Sequence, residues 1–263
     1  MKTFESLKND YIDESYDLFI NGEWVKAEGG KTFTVTSPVN GEPLCTCAES
    51  SANDVDKAVK AAWAAFDSFK RTSVDDRAAL LERIAAAMEA NKDRLAMAEC
   101  LDTGKLYKYA LANVNFAITF YQYCAGTIRG YEGHASMMDE TTMQLIMREP
   151  IGVVGQIIPW NVPFIIASWK LGPALATGCT VVLKPSVHAS LGTLEFIKCV
   201  KDIIPPGVLN VVTGGGSRCG QYLLDHPDIR KISFTGSTEI GRASDYRPPA
   251  PPLPVKAASG RGL

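Results

Sequence analysis

The sequence is poor in histidine: His134, His188 and His226 stand far apart, and no paired Cys-x-x-Cys clusters accompany them. A zinc site therefore has no ligand set, and no metal is expected. An excess of one charge is also missing, since 27 Lys and Arg face 29 Asp and Glu for a net charge of -2 over 263 residues. That balance removes the basic footprint of a nucleic-acid binder, so nucleic acid is not an expected partner. No apolar run reaches the ~18 residues of a membrane span. The opening stretch, residues 1–17, is acidic and lacks the apolar core of a secretory signal. No Gly-x-Ser-x-Gly elbow is present, which leaves a serine hydrolase without support. The seven cysteines (Cys45, Cys47, Cys100, Cys124, Cys179, Cys199 and Cys219) are odd in number and widely spread, unlike a disulfide framework. Several fall in apolar runs, where free Cys packs as a small hydrophobe. The expected setting is a reducing, cytoplasmic one.

What the chain does contain is an ordinary globular balance, 46% hydrophobic and 21% charged, over a length that suits one or two domains. Leu18–Val25 is apolar at both ends around Asn21-Gly22 and predicts a hairpin. Thr32–Thr36 and Leu44–Cys47 predict a second strand pair. From Asn53, a plausible cap, apolar residues recur at helical spacing. Further helices are expected from Ser73, over Lys92–Leu101 with a stop at Gly104, and over Tyr107–Ile128. Residues 131–149 read as a projecting strand arm with a strand at Met143–Met147. From Gly152 the pattern turns rhythmic. Apolar runs at Val153–Ile158, Thr180–Leu183, Val208–Val212 and Ile232–Phe234 alternate with helices at Pro163–Ala176, at Ser190–Ile203 and from near Ser217. That rhythm predicts an α/β fold, a Rossmann-like parallel sheet with flanking helices, whose strand-to-helix loops share one edge. Ligands of such sheets bind at that edge. Five prolines between Pro248 and Pro254 exclude helix and interior strand, so residues 243–263 are expected to form a disordered or polyproline-like tail.

The loops carry the candidate chemistry. Asn161 lies between Pro159 and Pro163 after the first parallel strand; held rigidly, its amide can donate to a developing oxyanion, or it can simply bond its own backbone in a turn. Lys184, with Ser186, ends the second strand, where sheets of this kind reach an adenosine ribose. No acid follows before Glu195, so a 2′-phosphate should be tolerated; a plain surface lysine is the alternative. Gly214-Gly215-Gly216 after the third strand is a loose glycine-rich pattern or a flexible turn. Gly236-Ser237-Thr238 combines close backbone approach, hydroxyls and a helix start, which suits a phosphate and equally an ordinary cap. Cys219 beside Gly220 could have a lowered pKa, but buried filler is the plainer reading.

Taken in order, INGEW (20–24), LDTGK (101–105), EPIGVVGQIIPWNVP (149–163), WKLGPALATGCTVVLKPS (169–186), PPGVLNVVTGGG (205–216) and FTGSTEIGR (234–242) resemble the aldehyde dehydrogenase superfamily. The resemblance runs from about Leu18 to Arg242. It implies a cofactor domain drawn from residues 18–130 and 150–242, with an oligomerisation arm at 131–149. It also implies a reaction: a cysteine thiolate attacks an aldehyde, hydride passes to NAD or NADP, and a glutamate-activated water releases a carboxylic acid. Asn161 matches the oxyanion-stabilising Asn, Lys184 the ribose-contacting Lys, and Gly236 and Ser237 the pyrophosphate contact. Ile157, Pro159 and Trp160 match the nicotinamide-side lining, Gly216 the wall near adenine, and Ile166 and Trp169 the aldehyde tunnel. Val187 stands where many NAD-selective members carry Glu. The family's Glu-Leu-Gly-Gly and Gly-Gln-x-Cys motifs, with base and nucleophile, are not found. The resemblance thus implies a small-molecule aldehyde partner and a homo-oligomer for the full-length family, and a truncated chain doubtful in activity by itself. The alternative is a non-catalytic nucleotide-binding or interaction fragment.

Overall fold

A computed structural model describes residues 3–245. Thr3 caps the first helix, α1 (Phe4–Tyr11), by accepting from the Ser6 amide. After a short strand, β1 (Ser15–Tyr16), the expected hairpin forms from β2 (Leu18–Ile20) and β3 (Glu23–Val25). Asn21 and Gly22 take φ of 56° and 85°, and two successive positive values are what a turn matching the strand twist requires. The second pair, β4 (Thr32–Thr36) and β5 (Pro43–Ala48), is antiparallel, and β1 adds in parallel to β5.

Four helices follow: α2 (Ala52–Phe69), α3 (Val74–Ala90), α4 (Lys92–Thr103) and α5 (Tyr107–Arg129). Ser51, not Asn53, caps α2. Its side chain accepts from the Asp54 amide while the Asp54 carboxylate returns to the Ser51 amide. The phase of the apolar stripe cannot choose between neighbouring polar residues as cap; the reciprocal acid three residues on decides it. Asn53 instead bonds Glu28. Ser73 and Asp76 repeat the same box at α3, and Gly104 ends α4 with φ at 73°. Beyond α5, β6 (His134–Met137) and β7 (Met143–Ile146) pair as an exposed two-stranded arm.

The rhythmic half runs β8 (Val153–Ile157), α6 (Pro163–Ala176), β9 (Thr180–Lys184), α7 (Leu191–Val200), β10 (Leu209–Val211), α8 (Gln221–Asp225), β11 (Lys231–Phe234) and α9 (Thr238–Asp245). α7 stops short of the expected Ile203, ahead of Pro205-Pro206, which cannot continue a helix. Between β10 and α8 lies a π-helical turn, Gly216–Gly220, rather than the helix expected from Ser217. The Gly220 amide donates to the Gly215 carbonyl at 3.2 Å; three glycines in six residues leave the turn few side chains to enforce α spacing. α9 includes the backbone of residues 243–245, which the sequence pattern assigned to the tail, since the first proline arrives only at Pro248. The rest of that tail lies outside the described residues.

The main sheet has the order β11-β8-β9-β10-β2-β3. Its first four strands are parallel, and β2 joins β10 antiparallel. Every residue of β8, β9 and β10 is buried, because helices cover both faces. Side chains alternate between two cores. Val153, Ile157 and Val182 meet Val55, Val59 and Ala62 of α2 and Leu223 of α8. Val181, Leu183 and Leu209 face the other layer, with residues of α3 to α7. From β8 the chain steps outward to β9 and β10, then returns to place β11 on the opposite side of β8. The direction of winding reverses there, and a crevice opens at the carboxyl ends.

Candidate active site

The ladder aligns the carboxyl ends of three strands. Ile157 of β8 pairs with Lys184 of β9 on one side and with Phe234 of β11 on the other. Adjacent strands lie about 4.8 Å apart, so three loops leave the sheet within about 10 Å of one another. Together with the turn after β10 they enclose a cleft of about 560 Å³.

The structure brings Ile157, Pro159, Trp160, Asn161, Lys184, Ser186, Gly216, Gly236 and Ser237 to this one cleft. Trp160, 60% exposed, and Asn161 project at its mouth. Among the described residues the Asn161 amide makes no hydrogen bond, so it does not serve the turn that holds it. Pro163, as first residue of α6, sets the helix start behind it. Lys184 is only 3% exposed. Its Nζ donates to the carbonyls of Pro185 at 2.7 Å and Gly214 at 3.1 Å, pinning the end of β9 to the glycine turn. Burial holds this ammonium below the ordinary lysine range. Ser186 anchors a wound loop: its Oγ accepts from the His188 amide at 3.2 Å, and its carbonyl accepts from Ser190 Oγ at 2.8 Å.

Ser237 precedes α9 and accepts from the Ile240 amide at 3.4 Å and, through its carbonyl, from the Gly241 amide at 3.0 Å. A Cβ at Gly236 would run into the Phe234 ring, whereas one at Gly216 would meet no protein atom within 4 Å. A side chain at the first would displace the Phe234 ring, and the second leaves open space at the wall of the cleft. No acidic residue lines the cleft among the described residues. A cation at one end and the opening turn of α9 at the other make it a place for an anionic ligand with apolar parts, the latter met by Ile157, Leu224, Phe234 and Ile240.

Ile166 and Trp169, which the resemblance matched to an aldehyde tunnel, do not line this cleft. Ile166 is buried in the helical core. Trp169 packs edge-on against Phe116 and Phe120 of α5, with centroids 6.0 and 6.5 Å away, and borders a second cavity of about 880 Å³ beside the arm. α6 starts at the cleft and carries both away from it. No cysteine lines the cleft. Burial pushes the Cys124, Cys199 and Cys219 thiols up to about 11. Cys45 and Cys47 lie with their sulfurs 4.0 Å apart in the core, and no metal-holding cluster occurs among the described residues. No helix there is long and apolar enough to cross a membrane. Sequence reasoning missed Leu224, Phe234 and Ile240 as cleft walls. Phe234 was open to inference as the last strand residue before a glycine; Leu224 had no local signal.

Fold and cleft define an α/β protein built to hold a ligand at a winding reversal. Residues 24–244 match the model of the aldehyde dehydrogenase family. An aldehyde dehydrogenase of Vibrio cholerae serotype O1 is 46% identical over 232 residues, 88% of this chain and 46% of the relative. The structure of an aldehyde dehydrogenase from Bacillus cereus in its NAD+ complex aligns with a TM-score of 0.89 at 38% identity, covering 94% of this chain and 51% of that one. A betaine aldehyde dehydrogenase from Staphylococcus aureus in complex with NAD+ gives 0.88 at 32% identity, over 92% and 49% of the two chains. The chain belongs to the aldehyde dehydrogenase family, and it spans about half the length of the relatives it matches.

Proposed function

We propose that this chain supplies the dinucleotide-binding part of an enzyme that oxidises an aldehyde to a carboxylic acid, with NAD or NADP in the cleft of about 560 Å³. The supporting observation is the convergence of four loops, from residues as far apart as Ile157 and Ile240, at the winding reversal of a parallel sheet. The residues suit the group. Lys184 and Ser186 would hold the adenosine ribose, and Gly236, Ser237 and the first turn of α9 the pyrophosphate. Gly216 borders the adenine side, and Ile157, Pro159 and Trp160 the nicotinamide side. When bound, the nicotinamide accepts the hydride that leaves the aldehyde carbon. Asn161, exposed and uncommitted, donates its amide to the oxygen that gains charge. The acid-free lining leaves room for the 2′-phosphate of NADP as well as for NAD.

The chain's own thiols do not line the cleft, and burial pushes those of Cys124, Cys199 and Cys219 up to about 11. By themselves the described residues bind cofactor and meet an oxyanion without supplying a thiolate. That placement favours a second reading, a nucleotide-binding chain without turnover of its own. We further propose that residues 18–130 and 150–242 act together as the cofactor unit, since β2 completes the sheet on β10. The arm at 131–149, with Met137, Met143 and Leu145 exposed, would join copies of the chain.

Titration with NADPH and with NADH, followed by reduced-nicotinamide fluorescence, tests the cleft. Saturable binding of both is expected. Lys184→Met, which strips the Pro185 and Gly214 carbonyls of their donor, should weaken both by about tenfold or more. A folded protein that binds neither overturns the assignment.

A further inference from the structure

Asp102 touches no part of the cleft and is 2% exposed. It sits near the end of α4, facing Cys47 of β5 and the start of α7. Its Oδ2 accepts from the Leu191 amide at 2.8 Å. Leu191 is the first residue of α7, and the helix has no side-chain cap of its own: Ser190 turns its hydroxyl back to the Ser186 carbonyl instead. An orphan donor of the helix start is thus met by a residue 89 positions away. The carboxylate is itself held fast. Ser37 Oγ donates to the Leu101 carbonyl at 2.6 Å, Gly104 turns the chain sharply, and the buried Glu99, one turn earlier, is tied to Lys105 and Asn113.

The consequence falls on the segment between β9 and α7. At one end Lys184 is pinned by the Pro185 and Gly214 carbonyls; at the other, Leu191 is pinned by Asp102. Between them lie Ser186, Val187 and His188, one wall of the cleft. We infer that Asp102 is a positioning residue for the dinucleotide site: by capping α7 from the neighbouring helix it sets where the Ser186–His188 wall stands, and so tunes affinity for the adenosine half of the ligand. This rests on the cofactor reading of the cleft.

The test uses the full chain with Asp102→Ala, which deletes the acceptor, and Asp102→Asn, which keeps a carbonyl oxygen. NADPH affinity is measured by fluorescence, and 5′-AMP and nicotinamide mononucleotide are measured as competitors. Amide hydrogen exchange reports where protection changes. Asp102→Ala should weaken NADPH and 5′-AMP by about fivefold to tenfold and leave the mononucleotide within about twofold. Lost protection should centre on residues 186–192, and Asp102→Asn should restore both readouts. If Asp102→Ala does not fold, Asp102→Val, which fills the void without an acceptor, takes its place with the same expectation. Equal losses for the two half-ligands with exchange rising throughout the chain, or no loss at all, overturn the inference while leaving the cleft assignment standing. A folded wild-type chain that binds none of the three ligands overturns both.

Discussion

Above neutral pH the fold carries a buried negative charge that it would hold better as a neutral acid. Burial pushes the Asp102 carboxyl from 3.8 up to about 7, against the pull of the Leu191 and Gly192 amides and with a push from Glu99. In the unfolded chain the same group ionises near its ordinary value. The folded state therefore binds this proton more tightly. The stability it confers is whole below about pH 4, falls as pH rises, and levels off once pH passes the folded value. The gap between 3.8 and about 7 corresponds to roughly 4 kcal/mol in all. About 2–3 kcal/mol of that is lost between pH 5 and pH 8. Asp102→Asn stays neutral across the range and keeps an acceptor for Leu191. Its NH2 group would stand near the place of Oδ1, which has no partner, at a pH-independent cost of about 1–3 kcal/mol. Urea unfolding of both proteins from pH 5 to pH 8 reads the difference, because the carboxyls away from Asp102 and its neighbour Glu99 titrate alike and cancel. The stability of Asp102→Asn relative to wild type should climb by about 2–3 kcal/mol over that interval. Parallel curves would refute the reasoning, and a relative decline would reverse its sign.

Gly236→Ala forces a methyl into the Phe234 ring, so that ring, which lines the cleft, or the loop before α9 must shift; NADPH binding should weaken by about tenfold or more, with a loss of stability of about 1–3 kcal/mol by thermal melting. Asn161→Ala sits at the exposed mouth without hydrogen bonds, so stability should change by no more than about 0.5 kcal/mol and NADPH affinity by less than about threefold. In a preparation that turns aldehyde over, the same change should lower kcat by about a hundredfold or more, and an unchanged kcat would remove Asn161 from the chemistry.

Much of the architecture was legible because it rests on short-range rules. Asn21-Gly22 announced a hairpin through the backbone freedom of those two residues, and Gly104 a helix stop for the same reason. The continuous apolar runs of β8, β9 and β10 could only be strands covered on both faces. The loops of the candidate site were legible too, since in a parallel sheet every strand-to-helix loop emerges on one edge, so Asn161, Lys184 and Ser237 had to share it. Other local features offered more than one candidate in the sequence. The cap of α2 depended on the reciprocal Ser51–Asp54 pair, and the turn after β10 took five-residue spacing where a helix start was expected.

Local order along this chain thus follows from backbone sterics and hydrophobic period, which act over a few residues and are written at each position. Which side chains complete the cleft is a matter of distance through space. Leu224 enters its wall from α8, while Ile166 and Trp169 leave it with α6. Asp102 reaches α7 across 89 positions of sequence. Such contacts exist only once the helices have packed on the sheet, and no local pattern encodes them.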